Sequence, residues 1–480
     1  MSTALEPRTA DAQAPDAPGA AAAATAGKQT LPQQPDGNVP AGAAPGALSE
    51  DQRNAARANT VDDLYMEQIA HTIAYQGAGQ GQTSAQLFGP KGHRTPLGDA
   101  FEKKGFDIDN IRCVVGAASF KMWSLPARPD SKVTPVVAFC GTQDAKDVSD
   151  DANPAGIGMG QFTRNQALIQ AELQRIGAGK GVTATGHSLG GSLAQIAACF
   201  YSNLIVNVVT FSAPGISKDV LAKLKDKGAG DVSAHHFRVA DDLVDDAGEA
   251  FIPGQTTLYG KTGQLNPVDA HNSYPVLSAA DHAKDPEVQK WMQDAAGTRD
   301  VPKLGEKKQV DSSPDKLGRS LSGVIEPIRK HASGIGNWAS GVIGGAIGFL
   351  GGGTKGAEEG AKQARGKVGT PEMQLDEAYT KIWMNLLPQL DSGALTPSLI
   401  KLLVTDQCKQ AKIPDQVTPM LANVNSMYPE YPAMAAASAN PSSMTDVATF
   451  LAAVQKTAPL SAAAQARVTK LFPRIKAEVH

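Results

Sequence analysis

Cysteine is scarce in this sequence, and its placement argues against a disulfide framework and against a zinc site. Only four cysteines occur in 480 residues, and no pair has the C-x-x-C spacing of a metal or redox motif. Three of the four lie in apolar runs, where a cysteine behaves as a small hydrophobic side chain. We therefore predict no disulfide framework, no metal and no cofactor.

An excess of charge of either sign is also missing. The formal net charge is −3, and no basic stripe or aromatic-interleaved basic segment occurs along the chain. A nucleic-acid-binding protein needs such a stripe to neutralise phosphates. The composition therefore disfavours a nucleic-acid partner, while the length and the 41% of apolar residues are sufficient for two or three domains.

Aromatic residues are absent from the first 50 positions, which contain 15 alanines, 7 prolines and 5 glycines. Such a composition cannot bury enough apolar surface to offset the entropy lost on folding, so residues 1–58 are predicted to be a disordered leader. The stretch also lacks the basic start and apolar run of a Sec signal. We expect a protein that stays in the cytoplasm of the producing cell or leaves it by a signal-independent route, and that is membrane-associated when acting.

Strand-like and helix-like segments alternate between residues 59 and 283. Helical spacing of apolar residues begins near Val61, and β-branched runs such as KVTPVVAF and NLIVNVVTF follow, separated by amphipathic stretches. This alternation predicts a mostly parallel sheet covered by helices on both faces. The expected fold class is α/β.

The stretch GVTATGHSLGGSLAQ, residues 181–195, joins a β-branched strand to an Ala-rich helix through a G-x-S-x-G motif. A strand that turns abruptly into a helix holds its corner residue in a strained conformation with the side chain outward, and only small neighbours fit there. Gly186 and Gly190 are such neighbours of Ser188. The motif predicts a nucleophilic serine, with a Gly-rich turn and a solvated serine as the alternative.

Other motifs around this elbow resemble, in order and spacing, the fungal-type class 3 lipases of the α/β-hydrolase superfamily. They are FCGT at 139–142, GQF at 160–162, TFSAPG at 210–215 and a D-x-V segment at 242–244. The similarity spans residues 110–280. It implies an α/β-hydrolase fold and acyl transfer by a serine, a histidine and an aspartate.

The resemblance implies that Ser188 is the nucleophile, that Asp242 orients the histidine, and that His271 is the base. His271 lies in AHNSYPVL, whose H-x-x-Y pattern is similar to the histidine loop of the family, whereas His282 in a charged stretch remains the alternative base. Only one of two adjacent aspartates can face the histidine. The D-x-V register selects Asp242, which leaves Asp241 in a solvated acidic loop.

The oxyanion hole is expected to consist of Thr142 and the backbone N–H of Leu189. Thr142 is implied by the resemblance, whereas the residue after the nucleophile supplies a donor throughout this fold.

Two departures from the family occur nearby, since Cys140 stands where arginine is more frequent and residues 143–160 form an acidic loop instead of an amphipathic lid helix. Strong activation at an oil surface is therefore not expected. The four aspartates of the loop are interpreted as solvated, with calcium binding as the alternative.

The sequence changes character after the hydrolase-like region. A charged linker is predicted over 284–330, and a Gly-rich apolar segment over 331–369, in which residues 332–354 carry no charge. These 23 residues, nine of them glycine, are long enough to cross a bilayer but are equally consistent with a soluble linker. Residues 370–480 are predicted to be a helical module that either packs on the hydrolase or binds a secretion, immunity or adaptor protein.

Together these features predict a serine carboxylic-ester hydrolase that acts on lipids, either an A-type phospholipase or a lipase. The combination of leader, lipase-like region and appended elements resembles bacterial lipase effectors delivered by contact-dependent secretion systems. The expected partners are a lipid or phospholipid ester and a membrane surface. The alternatives are a non-catalytic membrane-active or scaffolding protein that retains a hydrolase fold, and a soluble short-chain esterase.

Overall fold

The computed structural model describes most residues from 48 to 278 and from 371 to 479, with gaps between them. The described ranges are 48–76, 87–117, 120–141, 157–177, 179–226, 232–242, 244–246, 248–261, 263–265, 267–278, 304, 307–310 and 371–479. All of these ranges fall within one compact unit of the chain.

Eight strands in the described ranges form one sheet, in which the order along the chain is also the order in space. The pairings from β3 to β7 are parallel, and the pairings β1–β2, β2–β3 and β7–β8 are antiparallel. This mixed α/β arrangement confirms the prediction of a mostly parallel sheet. The strands are β1 Arg112–Val115, β2 Lys121–Leu125, β3 Val136–Phe139, β4 Val182–His187, β5 Ile205–Phe211, β6 Ser233–Val239, β7 Gln255–Tyr259 and β8 Lys307–Val310.

Helices precede, separate and follow these strands. In the sheet region they are α1 Glu50–Ala58, α2 Asp63–Gln68, α3 Pro96–Lys104, α4 Met159–Arg164, α5 Gln166–Gly177, α6 Leu189–Phe200, α7 Lys218–Asp226 and α8 Pro267–His271, and a π-helical stretch, Ile69–Ile73, continues α2. The helical C-terminal region comprises α9 Pro371–Asp391, α10 Pro397–Gln410, α11 Val417–Met427, α12 Glu430–Ser438, α13 Val447–Thr457 and α14 Ala462–Val479.

The sheet is covered on both faces, as its hydrophobic strands require. All residues of β3 and of β4 are buried. Successive side chains of a strand point to opposite faces, and β3 follows this rule: Val137 and Phe139 belong to one hydrophobic core, and Val136 and Ala138 to another. A strand buried on both sides needs apolar residues at consecutive positions, which explains the continuous runs in the sequence.

The C-terminal helices share a hydrophobic core with one face of the sheet. That core contains Phe162 of α4, Leu173 of α5 and Trp383 of α9, all fully buried. Gly160 allows α4 and α9 to approach closely, because a Cβ at this position would lie 2.4 Å from the carbonyl oxygen of Asp376. The helical region therefore packs on the α/β layer, which is the first of the two arrangements left open by the sequence.

Two ion pairs, one buried and one partly buried, join the helical region to the α/β layer. Arg164 Nη1 lies 2.5 Å from Asp376 Oδ1, and the two side chains are 8% and 10% exposed. Lys223 of α7 forms a second pair with Asp391, the last residue of α9. Removal of one partner from a buried pair typically costs about 3–5 kcal/mol, so the Arg164–Asp376 pair opposes separation of the two layers.

Helix α1 lies inside the stretch predicted to be a disordered leader, so the boundary predicted at residue 58 is wrong. Ser49 forms a capping box with Gln52, which satisfies backbone N–H groups at the start of the helix. Arg53 is buried and donates to the carbonyl oxygen of Ser202 at 2.8 Å. This helix is ordered by its contact with the sheet region, a contact that the Ala/Pro-rich composition does not indicate.

Strand β8 lies inside the predicted linker, so the boundary predicted at residue 283 is also wrong. Lys307–Val310 pairs antiparallel with β7, with Val310 opposite Thr256 and Gln309 opposite Thr257. Short charged strands suit the edge of a sheet, where lysine discourages pairing with other chains. The charge of this segment therefore reflects an edge position.

The described helices include none with the length and apolarity needed to span a bilayer. Within the same ranges, no group of three or more His, Cys, Asp or Glu side chains is arranged to hold a metal ion. The Gly-rich residues 332–354 and residues 142–156 of the acidic loop lie outside the described residues.

Candidate active site

Ser188 occupies the corner between β4 and α6 in a backbone conformation that side chains rarely adopt. Its φ is 58° and its ψ is −136°, values that are strained for a residue with a Cβ. The positions two residues before and after Ser188 have no room for a side chain larger than that of glycine. A Cβ on Gly186 would lie 2.3 Å from the carbonyl carbon of Gly190, and a Cβ on Gly190 would lie 2.1 Å from the carbonyl oxygen of Phe139. The strand, the sharp turn and the helix expected from the motif are all present.

The structure brings Ser188, His271 and Asp242 together in a continuous hydrogen-bonded chain. Ser188 Oγ lies 3.0 Å from His271 Nε2, and His271 Nδ1 lies 3.2 and 3.1 Å from the two carboxylate oxygens of Asp242. Because an ionised carboxylate only accepts, Nδ1 carries the proton and Nε2 is free to accept from the serine hydroxyl. Ser188 and Asp242 are each 3% exposed, so water hardly competes for these bonds. His282, the alternative base, lies outside the described residues.

The sheet explains how residues far apart in sequence meet. Ser188 follows β4 and Asp242 follows β6, so both lie beyond the carboxyl ends of parallel strands, where α/β proteins place their sites. His271 is the last residue of α8, after β7. Asp242 also accepts the backbone N–H of Val244 at 2.9 Å, which fixes the carboxylate independently of the histidine.

Asp241 has a structural role that the sequence interpretation missed. Its φ of 72° turns the backbone between the two adjacent aspartates. The Asp241 carboxylate accepts the backbone N–H groups of Gly263, Gln264 and Leu265 at 2.8 to 3.3 Å. Asp241 therefore anchors the loop before α8 while its side chain stays partly exposed, a role beyond the solvated position expected from the sequence.

Leu189, the residue expected to supply a backbone donor, directly follows the serine at the start of α6. Leu189 is the first residue of the helix and is buried, and helix N-termini carry N–H groups without intrahelical partners and a partial positive charge. Thr142, the other expected donor, lies outside the described residues. Its neighbour Gly141 is described, and a Cβ there would lie 3.2 Å from Ser188 Cβ and 2.8 Å from the carbonyl oxygen of His187. The chain thus passes directly beside Ser188 before it reaches Thr142.

The central part of the chain is similar to a known family. Residues 123–255 match the model of a Tle-like phospholipase domain. This match supports a lipid-ester hydrolase of the lipase and phospholipase group. It includes Ser188 and Asp242 and ends before His271.

No curated protein matches the chain. Among solved structures, the crystal structure of a fungal lipase is 13% identical and covers 46% of this chain and 84% of its own, with a TM-score of 0.29. A mutant form of MDLA from Penicillium cyclopium has the same identity and coverage and a TM-score of 0.28.

His187 supports the site from the position before the serine. Its Nε2 donates to the carbonyl oxygen of His271 at 2.8 Å, so its Nδ1 accepts from the Tyr75 hydroxyl at 3.0 Å. Burial, together with the nearby His71 and His271, holds the pKa of His187 well below its usual range. The ring therefore stays neutral and keeps this tautomer, consistent with the interpretation that His187 packs beside the nucleophile.

His71 and Tyr75 are residues near the site that no sequence motif indicated. The His71 ring lies 4.0 Å from the His187 ring and 4.5 Å from the Tyr274 ring, measured between centroids. Burial lowers the pKa of His71 to about 3, so this ring is also neutral near pH 7. The sequence feature that could have identified His71 and Tyr75 is their four-residue spacing within VDDLYMEQIAHTIAY, which places two polar rings on one face of an apolar helix.

Proposed function

We propose that this protein is a serine carboxylic-ester hydrolase with an α/β-hydrolase fold that cleaves the ester bonds of phospholipids. One observation carries the proposal: His271 bridges Ser188 and Asp242 by hydrogen bonds of 3.0 to 3.2 Å at a strained strand-to-helix turn. The similarity of residues 123–255 to a Tle-like phospholipase domain supports the substrate class and favours phospholipids over neutral lipids.

In the proposed acylation step, Ser188 Oγ attacks the carbonyl carbon of the ester while His271 Nε2 takes the hydroxyl proton. A serine hydroxyl is too weak a nucleophile without such a base. The tetrahedral intermediate then collapses, the bond to the glycerol oxygen breaks, and His271 returns the proton to that oxygen. Asp242 keeps the imidazole in the required tautomer and stabilises the imidazolium while it exists.

Negative charge develops on the carbonyl oxygen during this step and needs donors already in place. We assign the Leu189 N–H to this role because it follows the nucleophile at the start of α6. Thr142 is the second donor in this proposal, on the basis of the FCGT motif and of the position of Gly141 beside Ser188.

Deacylation repeats the chemistry with water. His271 Nε2 takes a proton from a water molecule as its oxygen attacks the acyl carbon, and it then returns the proton to Ser188 Oγ as the acyl–oxygen bond breaks. The products are a fatty acid and a lysophospholipid, which corresponds to A-type cleavage. The same groups thus serve both half-reactions.

The experiment that tests this function is a mass-spectrometric survey of the products formed from phospholipids, neutral lipids and short-chain esters. The wild-type protein should release fatty acid from phospholipid, and Ser188→Ala should lower the rate by several orders of magnitude while remaining folded. Ser192→Ala is the matched control, because Ser192 is a buried serine in α6, the helix that follows Ser188, and donates to the carbonyl oxygen of Pro214. Near-normal turnover by folded Ser188→Ala would exclude the serine mechanism. A wild-type protein without turnover on any ester would favour the non-catalytic alternative.

We also propose that the enzyme is a bacterial effector that acts at a membrane, and that residues 332–354 contribute to membrane binding. This uncharged segment is flanked by Arg329 and Lys330 on one side and Lys355 on the other, which suits anionic headgroups. Aspartate at Ile343 and Ile347 should reduce co-sedimentation with anionic vesicles but leave hydrolysis of a soluble ester unchanged, since a charge inside a bilayer costs about 2.5–3.5 kcal/mol on insertion scales. Equal vesicle binding by both proteins would identify the segment as a linker.

A further inference from the structure

One buried helical face carries three polar side chains toward the Ser188–His271 pair. Glu67 in α2, His71 in the π-helical stretch and Tyr75 just after it recur every four residues, the spacing that places helical side chains on one face. π-Helical turns are frequent at functional sites. His71 and Tyr75 contact His187, as described above. Glu67, by contrast, contacts the chain that follows His271.

Glu67 binds two consecutive backbone N–H groups. Its Oε1 accepts from Val276 at 2.8 Å and its Oε2 accepts from Leu277 at 2.7 Å. The side chain is fully buried, and burial raises the pKa of Glu67 to about 8 against the lowering effect of these two bonds. An apolar side chain would fill the same space without the cost of burying a carboxyl group. What Glu67 adds is therefore the pair of bonds to Val276 and Leu277.

The segment between His271 and these two residues is short and bonded to itself. Ser273 donates to the carbonyl oxygen of Ala270 through its N–H and through its hydroxyl, and Ser278 donates its N–H to the carbonyl oxygen of Tyr274 at 2.8 Å. The Tyr274 ring contacts the ring of His71, which lies on the same helical face as Glu67, with centroids 4.5 Å apart and planes tilted by 35°. A displacement at Val276 is therefore transmitted to the turn that carries the imidazole.

We propose that Glu67 is a positioning residue that sets the distance from His271 to Ser188. This inference rests on the proposed function, since it assigns Glu67 a part in that reaction. Glu67 acts through Val276 and Leu277 and does not touch the reacting atoms. A misplacement of 1 Å far from the chemistry can lower a rate by about 100-fold. Loss of both bonds therefore lowers kcat, while KM for a small ester stays the same.

Glu67→Gln is the decisive variant, because glutamine has the same shape but can accept only one of the two N–H groups and points an NH₂ donor at the other. Gln68→Ala is the matched control: Gln68 is the next residue on the same helix, is equally buried, and accepts from Thr72. On a short-chain ester we expect Glu67→Gln to lose about 10- to 100-fold in kcat with KM within about twofold. Titration of reactive serine with a fluorophosphonate corrects both variants for any unfolded fraction.

A second measurement does not depend on turnover. In the Ser188→Ala background, the Val276 and Leu277 amides should exchange faster with solvent in Glu67→Gln than in Gln68→Ala, and the NMR signal of the His271 Nδ1 proton should shift or vanish. If the wild-type protein hydrolyses no ester, the proposed function fails. The role of Glu67 is then decided by the His271 proton signal alone. If Glu67→Gln does not fold, Glu67→Asp, which withdraws the carboxyl group by one methylene, should show the same losses. A wild-type kcat or an unchanged His271 proton signal in the folded variant would overturn the inference.

Discussion

Replacing Trp383 with alanine should destabilise the sheet layer and the helical region together. Trp383 is fully buried in the core that also contains Phe162 and Leu173. Removal of a buried tryptophan side chain costs about 3–5 kcal/mol. With a urea dependence of about 3 kcal/mol per molar, this loss lowers the unfolding midpoint by about 1 to 1.7 M. Because the core is shared, the same shift is expected for both layers.

Two buried cysteines make this prediction measurable in each layer separately. Cys199 lies in α6 and Cys408 lies in α10, and both are fully buried. Alkylation during a urea titration, followed by mass spectrometry of the two peptides, should give the same midpoint for both thiols in the wild type and the same lower midpoint in Trp383→Ala. Leu402→Ala is the control, because Leu402 on α10 is 66% exposed and should shift neither. A midpoint that falls for Cys408 but not for Cys199 would show that the helical region unfolds by itself and would refute the shared-core argument.

Three further predictions concern the site and its supports. Asp242→Asn should lose several orders of magnitude in kcat for ester hydrolysis. Asp241→Asn should retain kcat but unfold at lower temperature, because its amide replaces one acceptor of the loop N–H groups. The opposite pattern would mean that the roles of the two aspartates have been exchanged. Gly190→Ala should abolish soluble expression or activity, since its Cβ would lie 2.1 Å from the carbonyl oxygen of Phe139, and a fully active variant would disprove this packing. Burial raises the pKa of Glu67 from 4.5 to about 8 in the folded protein, so the folded state binds this proton more tightly than the unfolded state. The stability that the group contributes is therefore complete below pH 4.5 and lost as pH rises through about 8. In urea titrations between these pH values, the free energy of unfolding of Glu67→Gln should depend less on pH than that of the wild type, and equal pH dependences would contradict the shift.

Local signals were sufficient to predict the elbow and the general architecture. The glycines around Ser188 are demanded by the same crowding that the structure displays at Gly186 and Gly190. The β-branched run of β5 is buried between layers, and a strand in that environment has no polar face to interrupt the pattern. Both predictions succeed because the relevant constraint acts within a few residues of the sequence that reveals it.

The missed features depend on contacts between distant parts of the chain. Strand β8 has no apolar alternation, and its Gln309 pairs with Thr257, 52 residues earlier. Helix α1 is held by a bond from Arg53 to a carbonyl 149 residues away. A glutamate in an amphipathic helix normally faces water, so the burial of Glu67 against the histidine loop is visible only in the folded chain. Composition and periodicity carry no information about such partners.

The shared core also bears on how the chain is made. Helices α4 and α5 leave the ribosome well before α9, because about 220 residues separate Phe162 from Trp383, and synthesis at 5–20 residues per second needs about 10 to 45 s to cover them. During this interval the apolar face formed by Phe162 and its neighbours has no covering helix, and transiently exposed surface of this kind favours aggregation. A chain whose translation stops before residue 371 keeps that face open permanently. We therefore expect products truncated before residue 371 to be sequestered by chaperones or degraded.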